Sequence, residues 1–186
     1  MFECFLTRIL QRKALRKVVH PHNGVYIPLE SARRIGFVAN ADNPGSVKAV
    51  GTITMEMQKR RIEFMGIYLD FRKNPGEEQA SISNPSVRTV RRNDVNWYGL
   101  PYDNAIKDFV QNHFDILIDL TQDKRVFAAD YILAKADASF RIGVSNGSKN
   151  PYDMIVSSPD GQQTGNPDQL VKSILLYLTT IHTDSK

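Results

Sequence analysis

The sequence has a single cysteine, Cys4, so no disulfide can close within the chain, and this usage suits a reducing compartment. No apolar run approaches the roughly 18 residues that would point to a transmembrane helix. A signal peptide fits poorly, because Arg8 interrupts the first apolar stretch and the charges follow that stretch instead of preceding it. The expectation is a cytoplasmic protein, free or peripheral to the inner face of the membrane. Nucleotide signatures are missing too: there is no G-x-G-x-x-G after the first strand and no G-x-x-x-x-G-K-[ST] anywhere. Ser, His and Asp occur, but no elbow motif brings a nucleophile forward. His20 and His22 lack further spaced ligands, so neither a metal nor another cofactor is expected.

What is present is enough chain, at 186 residues, for one domain with a substantial core. The formal charge of +4 is unevenly placed. Between Met1 and Val19 stand Arg8, Arg12, Lys13, Arg16 and Lys17 against Glu3 alone, so this segment carries about the whole excess. It lacks Gly and Pro and is expected to be helical. Phe2, Phe5, Leu6, Ile9 and Leu10 form an apolar stripe at helical spacing, and Lys13 and Lys17 fall on its continuation. Three uses suit such an arm: packing its Phe/Leu end on the domain, contact with a partner or an anionic membrane, or backbone contact with nucleic acid. Nucleic acid is the least expected, since the rest of the chain is near neutral. His20-Pro21-His22-Asn23-Gly24 ends the arm, giving segments 1–22 and 23–186.

The remainder is organised around Phe114–Thr121, an Ile- and Leu-rich run interrupted only by Asp115 and Asp119. A strand apolar on both faces suits the centre of a parallel sheet. Before it, Ile35–Ala39 reads as a strand, Ser46–Arg60 as a helix with Val47, Val50, Ile53, Thr54 and Met57 inward, and Ile62–Phe71 as a second strand. Lys73–Asn84 reads as a long surface loop, Val87–Val90 as a short edge strand, and Asp103–Asn112 as a helix with Asp103 as its N-cap. After it come a helix over Lys124–Ala136, a strand over Ser139–Val144, a loop over Ser145–Pro151, a short strand over Tyr152–Val156, an exposed stretch over Ser158–Pro167, and a helix over Asp168–Ile181. The alternation specifies an α/β class: a single three-layer Rossmann-like domain with a mainly parallel sheet and an N-terminal basic helical arm.

Two resemblances rest on particular residues. Phe114-Asp115-Ile116-Leu117-Ile118-Asp119-Leu120, a helix through Ala134 and Phe140-Arg141-Ile142-Gly143 are similar to the end of the N-terminal Rossmann-like domain of heptosyltransferase-type GT-B glycosyltransferases. That resemblance covers about a fifth of the chain. It implies a sugar-nucleotide enzyme, but such an enzyme needs a second Rossmann-like domain, and its first-turn aspartate has only Asp42 as a nearest equivalent; transferase activity is therefore not expected. Asn96-Trp97-Tyr98-Gly99-Leu100-Pro101, the Phe114–Thr121 strand, Phe140–Gly143 and Tyr152-Asp153-Met154-Ile155 together resemble, over the full length, a family of small bacterial proteins known only as a domain of unknown function. That resemblance implies no activity.

In an open parallel sheet, ligands sit beyond the carboxyl ends of the strands where the strand order switches. The candidates there are Asn40, Asp42, Asn43 and Ser46 after the first strand, and Thr121, Gln122, Asp123 and Lys124 after the central one. The helix start near Ser46 would offer free N–H groups to a phosphate or carboxylate. The same residue types are also what turns and caps require. A sugar phosphate or nucleotide is the small molecule this site would suit. Asp115 and Asp119 lie roughly 13 Å apart along a strand, too far for a carboxylate pair acting on one bond. Trp97 and Tyr98 could stack a ring or simply pack.

Overall fold

A computed structural model describes residues 2–19, 22–73, 82, 84–122, 126–144, 151–156 and 166–180, with side chains from Phe5 onward. Its elements are α1 (Phe2–Val18), β1 (Arg34–Asn40), α2 (Ser46–Arg60), β2 (Glu63–Asp70), β3 (Val87–Arg91), α3 (Asp103–Val110), β4 (His113–Asp119), α4 (Phe127–Lys135), β5 (Asp137–Gly143), β6 (Met154–Ile155) and α5 (Pro167–Thr180). The strands form one six-stranded sheet in the order β3-β2-β1-β4-β5-β6. All five strand pairs are parallel. This is the Rossmann-like α/β architecture expected from the alternation of elements.

Because helices cover both faces of the sheet, its central strands must be apolar on both sides. Ile35, Phe37 and Ala39 of β1 join Ile116 and Ile118 of β4 in a core closed by α2 and α5, with Ile53, Met57, Leu170 and Ile174 from the helices. Val38, Phe114 and Leu117 face the opposite core, closed by α3 and α4 through Ile106, Phe109, Ile132 and Leu133. α1 adds Val18, with Ala14 and Leu15 half-buried, to that second core. Gly36 and Gly143 make room for rings: a Cβ at Gly36 would come within 2.9 Å of the Phe114 ring, and one at Gly143 within 2.5 Å of Tyr152.

Several local expectations need correction. Asp103 is the first residue of α3, and Tyr102 occupies the cap without a side-chain bond; Asp103 instead accepts a bond from Lys135 Nζ at 2.8 Å. Pro167 opens α5 and is buried, where its fixed φ and missing N–H are tolerated. The strand expected over Tyr152–Val156 is only the two residues of β6. α4 begins at Phe127, with Val126 at its cap. Most of the expected loops at 73–84, 145–151 and 158–167, and the chain beyond Thr180, lie outside the described residues.

Candidate functional site

The strand order reverses between β1 and β4, so the turns leaving these two strands lie side by side. They are bonded to each other: the Asn43 side-chain amide donates to the Thr121 carbonyl at 2.6 Å. Asn40, Asn43, Ser46, Thr121 and Gln122 are buried, and Asp42 is half-buried. Asp123 and Lys124 lie outside the described residues.

Most of these polar groups are held by one another. Asn40 Oδ1 accepts the Asp42 N–H at 3.0 Å, which shapes the turn. Asp119, buried at the end of β4, accepts both the N–H (2.8 Å) and the hydroxyl (2.6 Å) of Thr121 through Oδ1, and the Tyr152 hydroxyl through Oδ2. The exits of β1 and β4 are therefore tied together by Asn43, and the polar groups ending β4 bond within their own turn and to Tyr152.

An open hollow lies on the other side of the β1 turn, lined by residues 41–48 together with Tyr68 and Arg72. Gly45, at φ 83°, caps α2 in the left-handed region, and a Cβ there would also come within 2.6 Å of Asn166 Oδ1. The Ser46 N–H donates to Asn43 O and the Ala49 N–H to Gly45 O. The N–H groups of Val47 and Lys48 have no backbone acceptor among the described residues. The Ser46 hydroxyl is buried without a hydrogen-bond partner among the described residues. Arg72 is fixed by a two-pronged bond to buried Asp70, Nε to Oδ1 at 2.9 Å and Nη2 to Oδ2 at 3.0 Å. That bond holds the Asp70 carboxyl below its ordinary pKa despite burial. Tyr68 and Arg72 were missed in the sequence because both belong to β2 and its exit; the charged pair ending that strand was the only local signal.

The other sequence-derived candidates separate. Asp115 accepts the N–H groups of Arg33 (2.6 Å) and Arg34 (2.9 Å), tying the entrance of β1 to β4. His22 Nε2 stands 2.7 Å from Asp153 Oδ2, while His20 lies outside the described residues. No group of three or more His, Cys, Asp or Glu side chains suited to a metal occurs among the described residues. Trp97 is 67% exposed, edge-on to Tyr98 at 5.2 Å, so it projects to solvent and is not packed in the core.

α1 turns its faces opposite to the packing expected of a Phe/Leu end. Phe5, Leu6 and Ile9 are exposed, as are Arg8, Arg12, Lys13, Arg16 and Lys17. Ala14, Leu15 and Val18 are the residues that meet the core, and Gln11 Nε2 donates to the Tyr98 carbonyl at 2.8 Å. The Phe2 side chain is outside the described set. Among the described residues no helix is long and apolar enough to cross a membrane.

The chain belongs to a family of unknown function (DUF6913), whose model matches residues 3–181. No curated protein matches it.

Proposed function

We propose that the protein acts by binding and not by catalysis, docking on an anionic surface, foremost the headgroups of a membrane, through the outward face of α1. The observation that carries this reading is the segregation of that helix. Its inner residues pack on the domain, whereas Phe5, Leu6 and Ile9 share the solvent face with five cations. Each Lys or Arg near an anionic lipid surface contributes on the order of 1 kcal/mol, and shallow insertion of the exposed apolar groups adds to it. An acidic protein surface would offer the same charge complement without the apolar gain.

Vesicle flotation of the full chain tests this reading. Because α1 helps close a core, charge reversal is a cleaner perturbation than truncation. The triple substitution Arg12→Glu, Lys13→Glu and Arg16→Glu should abolish flotation with anionic vesicles, and high salt should weaken it in the native chain. Flotation that is indifferent to both changes would exclude this docking mode.

A second reading, binding of a phosphorylated small molecule such as a sugar phosphate or nucleotide at the carboxyl edge of the sheet, is favoured by one observation. Ser46 lines the hollow, and its buried hydroxyl has no hydrogen-bond partner among the described residues. In this reading Asn40, Asp42 and Asn43 shape the turn and Thr121 stands across from it, while the other two candidates, Asp123 and Lys124, lie outside the described residues. A thermal-shift screen of nucleotides and sugar phosphates tests it, because a ligand binding only the native state raises its stability.

A further inference from the structure

We propose that the hollow between the β1 turn and the end of β2 is a phosphoryl-anion site, formed by the Ser46 hydroxyl, the first-turn N–H groups of α2 and the Arg72 guanidinium. The proposal rests on the second reading above and moves its ligand from the β1/β4 crevice, which the Asn43–Thr121 bond spans, to the β1/β2 side.

A buried hydroxyl without a partner is unfavourable, and such groups are few in folded proteins. Ser46 is 2% exposed, and its Oγ has no partner among the described residues. The position is not the cap, since Gly45, which has no side chain, is the N-cap. The hydroxyl is accompanied by the N–H groups of Val47 and Lys48, which have no backbone acceptor among the described residues, at the positive end of a 15-residue helix.

Arg72, also on the lining, is oriented by its two bonds to Asp70. Lys48, at the rim, reaches toward Asp168 at 3.4 Å and is 70% exposed. An oxyanion with three acceptor oxygens matches this set of donors, whereas a neutral hydroxyl group would use only part of it. Asp42 lies on the same lining, and Asp70 stands behind Arg72. These carboxylates offset part of the cationic charge, so a lone phosphate should bind in the millimolar range.

The test is a titration of full-length, ¹⁵N-labelled protein with inorganic phosphate at constant ionic strength, read by amide shifts. Saturable shifts at Val47 and Lys48 are expected, and Ser46→Ala should weaken binding about fivefold, the loss of one hydrogen bond. The unliganded Ser46→Ala protein should be as stable as the native chain or more so, because no partner is lost. A clear loss of its stability would give the hydroxyl a structural role and overturn the proposal. So would the absence of saturable shifts at Val47 and Lys48 in the native chain, a result that does not depend on any variant folding. Parallel titrations with unphosphorylated sugars and nucleosides separate the two levels. Shifts in the 40–46 turn with these and none with phosphate would retain a small-molecule site without the anion. No shift with either would remove both.

Discussion

The side-chain amide of Asn43 and the carbonyl of Thr121 meet at 2.6 Å in a buried setting, joining the exits of the two middle strands. Asn43→Ala deletes the donor and leaves the carbonyl without it. The expected loss is about 1–3 kcal/mol, seen as a lower urea midpoint with an unchanged slope. A midpoint within error of the native one would mean that the two turns do not depend on this bond.

Two glycines should respond in opposite directions. A methyl group at Gly36 would press on the buried Phe114 ring, so Gly36→Ala should destabilise by about 1–3 kcal/mol. Gly51 is exposed within α2 and has nothing within 4 Å of an added Cβ. Gly51→Ala should therefore stabilise by about 0.5–1 kcal/mol through helix propensity. Thermal denaturation of the two variants compares them directly, and a shared sign of effect would contradict the packing described.

Acid should weaken the link between α2 and α5. Asp168, buried in the first turn of α5, accepts the Thr52 hydroxyl at 2.5 Å and meets Lys172 at 3.0 Å. The Thr52 bond first, then Lys172 and Lys48, hold its pKa below the ordinary value of 3.8. A carboxylate depressed on folding contributes stability that is full above the unfolded pKa and is lost as pH falls through the folded one. Asp168→Asn should accordingly be less stable than the native chain at neutral pH, with the gap narrowing below 3.8. A gap that keeps its full size as the pH falls well below 3.8 would argue against an ionised Asp168.

The only tryptophan reports on the surface and not on the core. Trp97 should emit like an exposed indole, be quenched readily by acrylamide, and shift little on unfolding in urea. A blue-shifted emission protected from quencher would place it against another surface in solution. Its turn is bonded to α1 through Gln11, so such protection appearing only with vesicles would locate the docking face nearby.

The sequence made the sheet legible because parallel strands buried on both faces are near-continuous apolar runs. Gly36-Phe37-Val38-Ala39 and Ile116-Leu117-Ile118 could be read without knowing their neighbours. The 3.6-residue repeat placed α2 at Ser46–Arg60, and the structure keeps those bounds. In α1 the same repeat found a face without saying which way it points, so packing and outward contact both stayed open. The contact side there is made of Ala14, Leu15 and Val18, while the bulkier Phe5, Leu6 and Ile9 face outward. For the candidate site, the turns at Asn40–Ser46 and after Thr121 were legible because strand exits collect polar caps. The hollow was not, because Tyr68 and Arg72 reach it only through the pairing of β2 with β1. Nor could Tyr152 be joined to Asp119 from spacing alone, since they stand 33 positions apart.

The position of β1 also bears on how the chain assembles as it leaves the ribosome. β1 emerges first of the strands, yet it sits in the middle and needs both β2 and β4 beside it. The β1-α2-β2-β3 half can form early, but it then waits with one long side of β1 unpaired until β4 follows α3. That open, apolar edge is a natural template for mispairing with another nascent chain, and distant pairings of this kind close slowly. The interval between synthesis of β3 and of β4 is therefore when the protein most needs protection from its own copies.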